Sequence, residues 1–339
     1  MGRTIKDVAN RAGVSVATVS NVINNTLYVS DDLRSKVMEA VQEIGYRPNA
    51  LARGLRRGDT KSIGLILPDN TNPFFAEFAK YVEDMGYENG YSVFLCNSAS
   101  DQTREISYVN MLISKQIDGI IFITSHGGIK YLEELKSRNI PVVLVDREIP
   151  LAFGDAVLVN NKQGGYLATR HLIELGHSKI ACFTGPSDVT PSANRVIGYR
   201  TALAEAGIPV REDYILTGDF LSQSGERLLT QLLALKDIPT ALFACNDMMA
   251  IGAIKQARSS DIRVPEDLSI VGFDNIFFAT AISPALTTIA QPIHELAQIA
   301  ISLLIDKMQE RKALTEGQRI VLDTTLIVRD SCQRYEGNT

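Results

Sequence analysis

Tryptophan is missing from the chain, and cysteine and histidine are scarce, at four residues each in 339. Cys96, Cys182, Cys245 and Cys332 lie far apart with no CxxC pair, so buried reduced thiols are expected rather than disulfides or a zinc site. His126, His171, His177 and His294 are equally scattered, without metal-ligand spacing or a phosphate loop; no metal, cofactor or catalytic residue is expected, and His177 in LGHSKI reads as packing or capping a helix. No apolar run reaches the ~20 residues of a membrane span, and no secretory signal precedes Ile5. The expected location is therefore the cytoplasm.

Charge is present but unevenly spread. Residues 1 to 61 hold 10 Lys and Arg against 6 Asp and Glu, net +4, which leaves 24 against 33, net −9, for the remainder. The positive end is where a polyanion would be met. In that end, IKDVANRAGVSVATVSNVIN places Ile5, Val8, Ala9 and Ala12 on one helical face, then Gly13, then Val19, Val22 and Ile23 on another. Two short helices about a tight turn are the helix-turn-helix expectation. Gly13 suits the turn, Ser15 can cap the second helix, and that helix should expose Ser15, Val16, Ala17, Ser20 and Asn21 to a major groove. A third helix is expected from Asp31 to Ile44, with Leu33, Val37, Val41 and Ile44 inward. In YRPNALARGLRRGDT, which follows, Arg47, Arg53, Arg56 and Arg57 could grip phosphates while Leu51 and Leu55, four apart, form a minor-groove wedge. Gly54 and Gly58 lower its helix propensity, so it is expected to order on DNA.

VANRAGVSVATVSNVIN followed by RPNALARGL resembles the LacI/GalR family of bacterial transcription regulators, over essentially the whole chain. The resemblance implies a homodimer whose headpieces read the half-sites of a pseudo-palindromic operator, and a nucleoid-associated protein. DNA contacts would come from Thr4, Ser15, Val16, Ala17, Thr18, Ser20, Asn21, Asn24, Leu55 and Arg56. Val16 and Ala17 match the positions that carry most base choice, and both are apolar, which fits thymine methyls better than bidentate hydrogen bonds. Leu55 matches a leucine that intercalates at the operator centre. The tail carries no heptads, so no tetramer is expected.

From Lys61, β-branched runs such as SIGLILP, DGIIFI and IPVVLVD alternate with helical patterns, and a second such set begins near Asn160. Parallel sheets covered by helices are expected. The fold class is α/β: a helix-turn-helix headpiece, 1–48, a hinge helix and linker, 49–60, and an effector and dimerisation domain, 61–339. The resemblance implies that this last part is a two-lobed periplasmic-binding-protein-like (type I) fold whose chain crosses three times between lobes. Lobe 1 is placed at about 61–159 and 290–320, and lobe 2 at about 160–289 and 321–335, with one strand near Ile320 to Val328.

Open α/β sheets bind ligands beyond their strand ends. There the sequence puts Asn72, Phe74, Phe75, Asp146, Arg147, Arg195, Phe220, Asn246, Asp274 and Gln291. Carboxylates, guanidiniums and amides can ring the hydroxyls of a polyol while aromatic rings cover its C–H faces. No nucleophile with its base is among them, so binding rather than catalysis is expected. NTNPFF, VDR, GDF, FACND, VGFDN and TIAQ resemble ribose-binding motifs of periplasmic binding proteins and ribose-operon repressors, which carries D-ribose contact over to all ten. The expected function is a repressor of a sugar-utilisation operon that ribose releases from its operator. A purine corepressor, another pentose, a ketose or a sugar phosphate stays open as effector. Against the purine, Val189 occupies the place of an arginine for the base in that subfamily, a loss worth about 1 to 3 kcal/mol.

Overall fold

A computed structural model describes residues 3–24, 27–46, 59–123, 129–146, 153–310 and 317–337. The chain divides into two compact units, residues 1–61 and 62–339. The hinge segment with Leu55 and Arg56, and also Arg147 and His126, lie outside the described residues.

In the first unit, α1 spans Ile5–Ala12, α2 Val16–Asn24 and α3 Asp31–Ile44. Thr4 and Asp7 form a reciprocal capping box, with Thr4 N–H donating to the Asp7 carboxylate at 2.7 Å. Those bonds hold the Asp7 carboxyl below the usual carboxylate range. Gly13 ends α1 at φ +67°, a left-handed turn that a Cβ would strain. Ser15 Oγ accepts Thr18 N–H at 3.0 Å, as expected of an N-cap. Val8, Val19 and Val37, one from each helix, are fully buried at the centre of this small core.

The second unit begins with β1 (Ser62–Leu67), α4 (Pro73–Glu88), β2 (Ser92–Asn97), α5 (Gln102–Ser114), β3 (Gly119–Phe122), α6 (Ile129–Ser137), β4 (Val142–Val145) and β5 (Asp155–Val159). It continues with α7 (Asn161–Glu174), β6 (Ile180–Thr184), α8 (Thr190–Glu205), β7 (Ile215–Thr217), α9 (Ser222–Leu233), β8 (Ala241–Ala244), α10 (Asp247–Ser259) and β9 (Ser269–Asp274). The last part holds α11 (Phe278–Ala281), β10 (Thr287–Ala290), α12 (Ile293–Glu310), β11 (Arg319–Leu322) and β12 (Thr325–Ile327). The strands make two sheets, ordered β11-β5-β4-β3-β1-β2 and β12-β10-β9-β8-β6-β7, parallel except at the β10–β12 pair. Interior strands such as SIGLIL are buried along their whole length, because helices cover both faces of each sheet.

The chain passes between the sheets at Asn160, at Gln291–Pro292 and at Asp323–Thr324. Asn160 donates to Asp323 at 2.9 Å, and Thr324 N–H donates to Gln163 at 3.0 Å, so the first and third passages are tied together. Two sequence expectations need correction here. The single strand near Ile320 to Val328 is two strands, one in each sheet, and the third passage follows Leu322, not residue 320. Asp323 and Thr324 are the polar break in this run, RIVLDTTLIV, and they mark the passage. β5, which pairs with both β4 and β11, was not singled out, although DAVLV is a short apolar run bounded by Gly154 and Asn160.

Candidate functional site

The headpiece residues expected at DNA fall on α2 and its flanks, but not all are equally presented. Ser15 and Ala17 are exposed, while Thr18, Ser20, Asn21 and Asn24 are half-buried. The exposure expected of Val16, Ser20 and Asn21 is thus corrected to half-burial, and Val16 also packs on the headpiece core, because it sits one turn before Val19 and Ser20 and shares part of their inward face. Asn24 donates to the Ser20 carbonyl at 2.8 Å, closing the end of α2. Thr4 is exposed at the start of α1.

In the second unit, one cavity of about 50 Å³ is lined by Asn72, Phe74, Phe75, Asp146, Arg195, Phe220, Asn246, Asp274 and Gln291, together with Val189 and Pro191. The nine described residues of the expected ligand set therefore converge, although they come from seven different segments. Local structure explains each placement. Asn72 and Asn246 are the N-caps of α4 and α10, accepting Phe74 N–H at 3.0 Å and Met249 N–H at 2.9 Å. Capping leaves each side-chain amide at a helix start, facing the sheet edge. Phe74 and Phe75 meet edge to face at 5.1 Å between ring centroids. Asp146, Phe220 and Asp274 follow their strands in positive-φ conformations of 59°, 68° and 113°. Such backbone costs about 1–3 kcal/mol per residue and clusters at ligand sites.

Arg195 organises the polar wall. Its Nε donates to Asn161 Oδ1 at 2.8 Å and its Nη1 to the Cys245 carbonyl at 2.5 Å, while its guanidinium lies 3.7 Å over the Phe273 ring. Asp274 Oδ1 is 3.7 Å from Nη1 and accepts Gln291 Nε2 at 2.6 Å. Burial pushes the Asp274 carboxyl up to about 7; Arg195 and Gln291 oppose that shift and the Asp146 charge adds to it. Gln291 Oε1 is buried with no hydrogen-bond partner among the described residues. An unmet acceptor beside fixed donors is a place for a ligand hydroxyl.

A scan against family models matches the bacterial regulatory proteins of the lacI family over residues 4–49 and a periplasmic binding protein-like domain over residues 169–332. The transcriptional regulator DegA of Bacillus subtilis (strain 168) is 43% identical over 98% of both chains. The chain belongs to the LacI family. The transcriptional repressor PurR of Aliivibrio salmonicida (strain LFI1238) is 40% identical over 91% of this chain and 93% of its own. Among solved structures, a lac repressor dimer bound to operator and the anti-inducer ONPF matches with TM-score 0.86 at 26% identity, covering 98% of this chain and 100% of that one. A LacI-family regulator from Enterococcus faecium with bound ribose matches with TM-score 0.74 at 34% identity, covering 81% and 100%.

This LacI-family chain is thus a DNA-binding transcriptional regulator, not an enzyme. No helix among the described residues is long and apolar enough to cross a membrane, and none of their His, Cys, Asp and Glu side chains group as a metal site. Sequence reasoning missed Asn161, which donates to Asp146 at 3.4 Å while accepting from Arg195, and so ties two cleft residues from different lobes. Its neighbour Asn160 caps α7, and the pair reads simply as a helix start. His177 packs as expected, with its ring nitrogens on Thr240 at 2.9 Å and Ser269 at 3.1 Å.

One glycine supports the site from behind. A Cβ at Gly185 would run into the Phe220 ring, so Gly185→Ala must swing that ring away from its place in the cavity wall. The expected outcome is at least tenfold weaker effector binding by calorimetry, about 1.4 kcal/mol.

Proposed function

We propose that the chain is a homodimeric repressor of a sugar-utilisation operon, acting in the cytoplasm on a pseudo-palindromic operator, and that D-ribose bound between its lobes releases it. The observation that carries the ribose reading is the cavity wall itself. It combines two carboxylates, a guanidinium, three amides and three phenyl rings in a volume of about 50 Å³. That is room for about four waters at 10–15 Å³ each, so nothing larger than a monosaccharide is enclosed here, and even that only as the lobes adjust around it. Hydroxyls donate to Asp146, Asp274 and Gln291 Oε1 and accept from Arg195 and Asn246, and the rings cover the C–H faces. Val189, in the same wall, has nothing to offer the polar edge of a purine. The ribose bound to the Enterococcus faecium relative adds support.

Closing two lobes on a ligand is a hinge motion about the three passages, and any change it makes in the headpiece spacing changes operator affinity, by typically ~5–150-fold in coupled systems. The dimer reading draws support from the lac repressor dimer and from exposed apolar side chains, Phe94 and Leu95 on β2 and Phe277 and Phe278 at α11.

A second reading, a phosphorylated sugar, is favoured by one feature. A pocket of about 220 Å³ adjoins the cavity at Asp146 and Pro191 and is also lined by Lys162 and Arg319. Asp146 at the junction repels a phosphate, which ranks free ribose first.

The deciding experiment is calorimetry of the full chain against D-ribose, another pentose, a ketose, ribose 5-phosphate and hypoxanthine, followed by operator titrations on a duplex selected by the protein. Ribose should bind and weaken the hold on DNA. Binding of hypoxanthine in its place would overturn the reading.

A further inference from the structure

The last residue of β9 and the two that follow it differ sharply in their surroundings. Asp274 faces the cavity, Asn275 continues at φ 61° outside it, and Ile276, only 1% exposed, is buried in the core of lobe 1 although it hangs from a lobe 2 strand. Met248 and Ile251 of α10 pack against the same lobe 1 core. One short turn thus carries a ligand-facing carboxylate at one end and an apolar plug in the opposite lobe at the other.

Non-glycine residues hold two consecutive positive-φ conformations only where their neighbours fix them. Here the neighbours are identifiable. Asp247, fully buried and outside the cavity lining, accepts Ile276 N–H at 2.9 Å and the Thr288 hydroxyl at 2.5 Å. Arg329, just beyond β12, donates to Asn275 Oδ1 at 2.6 Å and to the Leu286 carbonyl at 2.7 Å. The turn is therefore pinned from α10 on one side and from the segment after the third passage on the other. Burial and the nearby Asp274 charge both push the Asp247 carboxyl up, so the two acids feel each other across the turn.

We propose that the Asp274–Ile276 turn converts occupancy of the cavity into lobe position, and that Asp247 and Arg329 are the positioning residues that set it. A ligand bonded to Asp274 fixes the start of the turn, which in turn fixes the seat of Ile276 in lobe 1. Without the ligand the plug is held only through Asp247 and Arg329, and the lobes part more readily about the passages. Two arrangements of one packed contact are what a two-state switch requires. This rests on the effector reading above only in taking the cavity as the place where a ligand binds.

The test uses the full chain with spin labels on Glu88→Cys in lobe 1 and Gln231→Cys in lobe 2, both exposed positions. In ligand-free protein, Ile276→Ser and Asp247→Asn should each broaden the interlobe distance distribution and shift it to longer values, with Ile276→Val close to wild type. In operator titrations, ribose should change the affinity of Ile276→Ser far less than that of wild type, while calorimetry still shows ribose bound, several-fold more weakly. Unchanged distances together with an unchanged ribose effect on operator affinity would overturn the proposal. So would an Asp247→Asn chain that loses ribose while its lobes stay as in wild type. If Ile276→Ser does not fold, Asp247→Asn and Arg329→Gln decide by the same distances. If wild type itself ignores ribose, the ribose reading fails, and the ligand-free distances still decide whether the turn holds the lobes.

Discussion

Arg195→Ala is expected to eliminate detectable ribose binding and to lower the thermal midpoint of the effector unit. The guanidinium makes two hydrogen bonds, faces Asp274 and covers Phe273, all in the buried polar wall. Its removal leaves Asn161 Oδ1 and the Cys245 carbonyl short of a donor and Asp274 without its countercharge, at a cost of about 3–5 kcal/mol for breaking such a pair. Arg195→Lys restores a charge but not the planar fork, so it should recover much of the stability and little of the binding. Calorimetry with ribose and differential scanning of the same samples separate the two effects. Full ribose affinity in Arg195→Ala would remove this residue from the ligand set.

The second large effect is on pH. Asp274 is held near 7 in the ligand-free protein, above the ordinary carboxylate value of 3.8. Because its folded-state pKa is raised, its contribution to stability is fully present below the unfolded value and is lost as pH rises through about 7. A carboxylate accepting two hydroxyls must be ionised, so ribose binding should release protons below that pH. Affinity is then expected to rise about tenfold between roughly pH 6 and pH 8 and to level off above, following the ionised fraction. Calorimetry in two buffers of different ionisation enthalpy measures the protons released. Affinity that falls over the same range would mean that Asp274 donates to the sugar and that the assignment of its bonds is reversed.

The legible part of this molecule is what local pattern encodes. Helix caps, the αL glycine at position 13 and the alternation of buried runs with helices all depend on near neighbours, and the elements lie where those signals put them. The cavity residues were legible for a related reason: all but Arg195, which lies in the second turn of α8, sit at a strand end, just beyond one or at a helix start, places the sequence itself marks. What was not legible depends on distant partners. Nothing near Asn161 announces that it bridges Arg195 and Asp146, and nothing near Asp247 announces that it holds the amide of Ile276. That the two halves of the last strand join different sheets follows from where the sheets stand, and Val16 is drawn inward by the packing of α2 on two other helices. Arg147, Leu55 and Arg56 fall outside the described residues.

Val189 sits at the N-cap of α8 with no side-chain cap bond to the helix behind it. A substitution there forfeits no capping energy and touches the cavity directly, whereas most other wall residues also cap a helix, bend a strand end or brace a neighbour. Descent from a common ancestor could therefore retune the signal molecule at this one position while the machinery that responds to it stays as it was.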